Sequence, residues 1–126
     1  MLTEPYFDLL KSSLTGSLYP ESAWQRIHQP KGLMSRLMLN LLSKRGYVVV
    51  KPQQLNAAKR EGGEDWPLIG YSMIGHKRLE NIRALLSTVI AEDIAGDFVE
   101  CGVWRGGGSI FAKAVLNSLS SDRTVW

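Results

Sequence analysis

Apolar positions Tyr6, Leu9, Leu10 and Leu14 recur at the three-to-four spacing of one helix face. Thr3 is suited to cap that helix, Pro5 to sit in its first turn, where a missing N–H is harmless, and Gly16 to end it. Residues 19–30 read as irregular, with a short turn around Trp24. A second helix is expected over 32–45, where Leu33, Leu37 and Leu41, with Met34, Met38 and Leu42, make a wide apolar face. Lys44 and Arg45 suit the negative end of its dipole, and Gly46 can close it. The β-branched and aromatic run 47–50 reads as a short strand closed by Pro52. Residues 53–70, polar and broken by Gly62, Gly63 and Pro67, read as a loop or lid containing a helical turn.

Helical periodicity resumes near Met73, with Leu79, Ile82, Leu85 or Leu86, and Val89 or Ile90 on one stripe and Glu80 paired with Arg83 outside it. Gly96 and Asp97 mark a turn, and 98–101 reads as a strand running into a glycine-rich loop. A further helix over 107–119 should bury Ile110, Phe111, Ala114, Val115 and Leu119, and a last strand opens at 123–126. Strand, helix and strand make one βαβ unit, with 98–101 and 124–126 expected side by side and parallel. One such unit leaves parallel edges uncovered, and doubly wound domains contain several. The fold class expected is therefore α/β: an N-terminal helical region followed by the first βαβ unit of a truncated Rossmann-like sheet. Residues 1–70 form the helical region with its lid-like loop, and 71–126 begin the ligand-binding domain.

The 126 residues amount to one small domain of ordinary globular composition, 44% hydrophobic and 21% charged. No apolar run approaches the ~18–20 residues that span a bilayer, and the N-terminus lacks the basic and apolar regions of a secretory signal. Cys101 is the only cysteine and can form no internal disulfide; no Cys or His cluster has metal-ligand spacing. A reducing, cytoplasmic setting is the expectation. The net charge of +3 hides an asymmetry: Arg26, Lys31, Arg36, Lys44, Arg45, Lys51, Lys59 and Arg60 fall between Ser22 and Arg60 with no acidic residue among them. Such a block is compatible with a solvated face, with anionic lipid or with nucleic acid. It lacks the density of cations and stacking aromatics found in dedicated nucleic-acid binders, and no nucleic-acid partner is expected.

Chemistry concentrates in residues 96–109, Gly-Asp-Phe-Val-Glu-Cys-Gly-Val-Trp-Arg-Gly-Gly-Gly-Ser. Glu100 ends the strand and can accept hydrogen bonds from an amino-bearing ligand. Gly102 permits close backbone approach, and Gly106 to Gly108 allow a tight turn that presents amides at a helix N-terminus. The spacing is neither G-x-G-x-x-G nor G-x-x-x-x-G-K-[ST], so nicotinamide and nucleoside-triphosphate readings lose their main support. Any tight strand-to-helix turn can use such glycines, and the glycines alone leave that reading open.

The order of short motifs narrows the choice. Glu64-Asp-Trp-Pro67, Ser72-Met-Ile-Gly75 with Arg78, Leu79 and Asn81, Gly96-Asp97, Glu100-Cys-Gly-Val-Trp-Arg-Gly-Gly107 and Asp122-Arg-Thr-Val-Trp126 follow one another. Together they resemble the macrocin O-methyltransferase (TylF-like) family, Mg2+-dependent sugar O-methyltransferases of natural-product pathways. Residues 6–20 resemble the family's opening, whereas the basic block matches less clearly. The resemblance implies S-adenosylmethionine as cofactor, held by Ser72, Met73, Glu100, Gly102, Trp104, Arg105, Gly106 and Gly107. It implies Trp66 beside a small-molecule hydroxyl acceptor. Ser72 and Cys101 stand where the family usually has Thr. The family's metal-binding aspartates have no counterpart here, so Mg2+ is expected only in the complete protein, and no catalytic base is assigned. The 126-residue chain alone is expected to be inactive and to associate with its own copies through an uncovered strand edge.

Individual residues keep plainer readings. Met73 suits helix-start packing as well as a cofactor contact, and Trp66 suits a loop anchor as well as a substrate wall. His28 and His76 read as solvent-facing, and Cys101 as an inert buried thiol. Arg105 either binds a carboxylate or crosses the helix entrance. The competing functions are a peripheral membrane module, with 32–45 lying on anionic lipid, and a nucleic-acid module using 22–60. Neither explains the glycine-rich segment.

Overall fold

The computed structural model describes residues 4–18, 24–52 and 56–126. Its elements run α1 (Glu4–Thr15), β1 (Trp24–Arg26), α2 (Leu33–Lys44), β2 (Val50–Pro52), α3 (Ala57–Gly62), α4 (Gly75–Ala91) and α5 (Gly107–Ser118). The expected cap Thr3 and the start of the irregular 19–30 stretch lie outside the described residues. The chain forms two compact units, one of Met1–Pro20 with Leu55–Trp126 and one of Glu21–Gln54.

In the first unit, α1, α4 and α5 share one core of Phe7, Leu14, Leu79, Leu86, Phe111, Ala112, Val115 and Leu116. Burying each of the large side chains contributes roughly 1.5–3 kcal/mol. Phe7 meets Phe111 edge-on at 6.0 Å between ring centroids. The helices form where periodicity expects them, but two faces are rotated from expectation. In α1 the buried positions are Phe7, Lys11, Leu14 and Thr15, while Tyr6 and Leu9 are exposed. In α5 they include Phe111, Ala112, Val115 and Leu116; Ile110 is exposed, and Ala114 and Leu119 are only half-buried. The i, i+1, i+4, i+5 set faces both neighbouring helices at once, which a single-stripe reading overlooks. On α4, Leu79 and Leu86 are buried and Leu85 is exposed.

Charges ring this core. Arg83 lies 4.4 Å above the Phe7 ring, forks onto both carboxylate oxygens of Glu4, and approaches Glu80 at 3.5 Å. Lys11 bridges Glu80 at 2.9 Å and Asp8 at 3.0 Å. Burial alone would lower its pKa; the hydrogen bonds to the two carboxylates outweigh that and raise it.

After α4 the chain extends and pairs with its own end. Phe98 N donates to Thr124 O at 3.0 Å, Trp126 N to Phe98 O at 2.9 Å and Glu100 N to Trp126 O at 3.0 Å. This is an isolated parallel bridge between Phe98 and Val125, shorter than the two strands expected over 98–101 and 123–126, with α5 as the connection between its halves. Asp97 clips the returning strand by accepting from Thr124 N at 3.0 Å and Trp126 Nε1 at 2.9 Å. The indole bond first, and the amide second, hold its carboxyl below the usual aspartate range. Cys101 departs from expectation. It lies in the turn after the paired residues and is exposed, because the chain must leave the strand direction to build the glycine loop.

In the second unit, β1 and β2 form an antiparallel pair, Trp24 opposite Pro52, Gln25 opposite Lys51 and Arg26 opposite Val50. Residues 24–26 are thus a strand where the sequence reads as irregular, and 47–49 are not part of one. Gly46 is left-handed at the end of α2, and Tyr47 N turns back to Leu42 O at 3.0 Å. That helix-terminating turn takes up Tyr47 before a strand can start. Pro52 is the last residue of β2 and closes it as expected; a two-strand edge position tolerates its missing N–H. α2 buries none of its residues fully, and Leu33, Met34, Leu37, Met38 and Leu41 are all exposed.

Candidate functional site

A cleft lies between the Phe98–Val125 bridge and the start of α5. It is lined by Tyr71, Ser72, Met73, Ile74, Glu100, Gly102, Trp104, Arg105, Gly106, Gly107 and Gly108. All eight residues expected to hold a cofactor are therefore brought together, although Ser72 and Met73 lie some 30 positions upstream of the loop. The enclosed volume is about 60 Å3, well under the roughly 300–1,000 Å3 of a whole small-molecule site.

The loop residues owe their positions to close backbone approach. Gly106 caps α5 in the left-handed conformation with no side-chain hydrogen bond to the helix, so the first turn of α5 presents its positive end to the cleft. Gly107 N donates to Tyr71 O at 3.0 Å, and a β-carbon at Gly107 would lie 2.5 Å from that oxygen. Ser109 Oγ donates to Glu100 Oε2, which turns the carboxylate across the start of the helix. Gly102 has φ +87°, and a β-carbon there would meet nothing within 4 Å. The backbone is thus bare at that point.

The opposite wall is a strap, residues 68–72, tied down at several points. Tyr71 N and Ser72 N both donate to Leu14 O at the end of α1, at 2.7 and 2.8 Å. Arg105 Nη1 donates to Gly70 O at 2.9 Å and Leu68 O at 3.3 Å. Ser72 is buried, and its Oγ accepts from Ile74 N at 3.4 Å. Arg105 therefore crosses the helix entrance, as one of its two readings had it. Its guanidinium also lies 4.1 Å from the Trp104 ring centroid. Trp66 does not line the cleft. It meets Trp104 edge-on at 5.4 Å and remains well exposed, extending the aromatic surface beyond the cleft.

Tyr71, Ile74 and Gly108 also line this cleft. Gly108 belongs to the glycine turn legible in the sequence and Ile74 to the matched Ser72-Met-Ile-Gly75 run, though neither is assigned a cofactor contact there; Tyr71 was missed and merely flanks that run. Two further readings change. His76 is half-buried, with Nε2 at 2.9 Å from both Thr15 Oγ1 and Ser17 Oγ. Burial holds its pKa below the usual histidine value. Arg60 leaves the basic block: it is buried, ion-paired with Asp65 and donates to Thr15 O at 3.1 Å. His28 is exposed, as expected.

Among the described residues, no group of three or more His, Cys, Asp or Glu could hold a metal, and no helix is long and apolar enough to cross a membrane. The family model described as Macrocin-O-methyltransferase (TylF) matches residues 3–126. A tetracenomycin rhamnosyl 4'-O-methyltransferase from Streptomyces olivaceus is 40% identical over 97 residues, 75% of this chain and 37% of that protein. Mycinamicin III 3''-O-methyltransferase from Micromonospora griseorubida is 32% identical over 124 residues, 98% and 41% of the two chains. The solved structure of the O-methyltransferase NovP superposes with a TM-score of 0.68 at 34% identity, covering 97% of this chain and 40% of that one. The chain thus spans about two fifths of the length of these relatives.

Proposed function

Because the chain belongs to the macrocin-O-methyltransferase (TylF) family, we propose that it is the N-terminal part of an S-adenosylmethionine-dependent O-methyltransferase acting on a sugar hydroxyl of a natural product. The observation that carries this reading is the gathering of Ser72, Met73, Glu100, Gly102, Trp104, Arg105, Gly106 and Gly107 around one cleft. The residues fit the cofactor: open space over Gly102 for close approach, a carboxylate at Glu100 for its amino group, and a helix N-terminus for negatively polarised oxygens. When bound, S-adenosylmethionine supplies a sulfonium methyl group to an acceptor hydroxyl. This chain's residues hold and orient that donor, which contributes through proximity. Sugar acceptors are supported by relatives whose names specify rhamnosyl 4' and mycinamicin 3'' positions. Trp66, beside Trp104, offers an apolar face to such a ring.

The functional division falls near residue 70, with 71–126 opening a Rossmann-like cofactor domain and 1–70 supporting it; this division is distinct from the two compact units. Mg2+ belongs to the proposal for the complete protein. The described residues make no cage for it, and no step is derived through it. A cytoplasmic setting accords with the lone cysteine. The 126-residue chain by itself should bind acceptor and donor too incompletely to turn over. Its exposed Val99 and Trp126 beside the parallel pair favour association between copies. The membrane and nucleic-acid alternatives gain no support, and Arg60 is withdrawn from any cationic face.

The test is direct. The full-length protein should bind S-adenosylmethionine in calorimetry and transfer its labelled methyl to a glycosylated natural product bearing a free sugar hydroxyl. Absence of binding by a folded, metal-supplemented protein would overturn the cofactor reading, and transfer only to nitrogen acceptors would overturn the hydroxyl assignment.

A further inference from the structure

The geometry points to Arg105 as a positioning residue that sets the width of the cleft by holding the 68–72 strap, rather than as a ligand for the cofactor. The inference rests on the cofactor reading above. Arg105 Nη1 is directed at protein and donates to the carbonyls of both Leu68 and Gly70. Its guanidinium carbon lies 4.1 Å over the Trp104 ring, so the side chain is oriented from two directions. A guanidinium is suited to both tasks at once, which a lysine ammonium is not.

The strap that it holds carries Tyr71 and Ser72, whose amides are anchored on the far side to Leu14 O. Tyr71 O in turn accepts from Gly107 N, the first residue of α5. Arg105, Leu14 and Gly107 therefore fasten one short segment to the glycine loop, to α1 and to α5. Arg105 is the one of these fastenings made by a side chain, and it belongs to the same loop that lines the cleft. Loss of its bonds frees the carbonyl side of residues 68–70, and Ser72 and Met73 move with them. The cofactor would then meet the same residues at the wrong separation.

The experiment uses the full-length protein and its Arg105→Ala and Arg105→Lys variants. Amide hydrogen exchange is followed without cofactor, and S-adenosylmethionine affinity and steady-state kinetics are measured separately. We expect the Tyr71 and Ser72 amides to exchange at least ten times faster in Arg105→Ala while α4 keeps its protection. S-adenosylmethionine Kd and KM should rise about tenfold with kcat nearly unchanged at saturation, and Arg105→Lys should recover part of both effects. If affinity falls while the strap stays protected, Arg105 touches the ligand and the inference fails. It also fails if neither quantity moves. If Arg105→Ala unfolds, seen as lost protection in α4, the same two criteria are applied to Arg105→Lys. Wild-type protein that binds no S-adenosylmethionine would overturn the cofactor reading, whereas the exchange measurement judges the strap separately.

Discussion

Glu100 and Gly108 are packed so closely that a β-carbon on Gly108 would stand 2.6 Å from Glu100 Oε1. The carboxylate occupies the space a side chain would need, and Ser109 Oγ donates to its other oxygen. In an exposed helix, Gly→Ala gains about 0.5–1 kcal/mol. At Gly108 the crowding reverses the sign, since either the carboxylate or the first turn of α5 must shift. Gly108→Ala should destabilise the protein by roughly 1–3 kcal/mol and weaken S-adenosylmethionine binding about tenfold. Thermal unfolding and calorimetry check the two halves. A variant that gains stability would show that the carboxylate is free to move.

Gly102 poses the opposite problem. Among the described residues, nothing beyond its chain neighbours lies within 4 Å of a β-carbon there, so an added β-carbon meets no other part of the protein. Gly102→Val should nevertheless abolish S-adenosylmethionine binding, because its methyls would fill the space of close approach. The left-handed backbone adds a penalty of about 1–2 kcal/mol. Circular dichroism confirming the fold, followed by calorimetry, separates the effects. Unchanged affinity in a folded variant would remove Gly102 from the site.

The contrast between these glycines shows what the sequence discloses. The run from Glu100 to Gly107 announces a strand-to-helix turn on its own, because glycine clusters are local signals. The joining of Ser72 and Met73 to that turn is not local. It depends on Leu14 O, about 60 residues away in the chain, receiving two strap amides, and only resemblance brought those residues forward. Helix positions were legible from periodicity and their buried faces only in part: Phe111 and Val115 are buried as expected, whereas Ala112 and Leu116 are buried in place of Ile110 and Leu119. The strand at 24–26 was invisible because its pairing with Val50–Pro52 is long-range and short. Arg60 read as a surface cation until Asp65 and Thr15 O were seen to enclose it.

Gly63 and Gly75 join α3 to α4 through direct backbone contact. A β-carbon on Gly75 would lie 2.3 Å from Gly63 N and 2.7 Å from Arg60 O; one on Gly63 would lie 2.2 Å from Ile74 O. Both residues have positive φ, +69° and +75°, so substitution brings strain and collision together. Gly75→Ala should destabilise by at least about 2–3 kcal/mol, detectable as a lowered urea midpoint. Because Ile74 lines the cleft, cofactor affinity should fall in parallel. Gly46→Ala is the control: its φ of +81° carries strain, yet a β-carbon there meets nothing, and it should cost only about 1–2 kcal/mol.

His76 should give the protein a pH dependence in the neutral-to-acid range. Its Nε2 faces Thr15 and Ser17, and Nδ1 lies 3.8 Å from Glu61 Oε2. Burial, the largest influence, opposes protonation; Glu61 and Asp8 favour it, while Lys11 and Arg60 oppose it, and the net pKa is lowered. An unfolded chain, with a histidine pKa of about 6.5, then binds a proton more readily than the folded one. Stability is full above that unfolded value and declines as pH falls towards the lowered folded value. The carboxylates of Glu4 and Asp97 are also held low, but their loss comes below about pH 4, under their ordinary values. Scanning thermal midpoints from pH 7.5 to 5 isolates the histidine. The wild type should lose stability across that window, and His76→Gln should flatten the curve while lowering its neutral plateau. A slope that survives the substitution would assign the titration to another group.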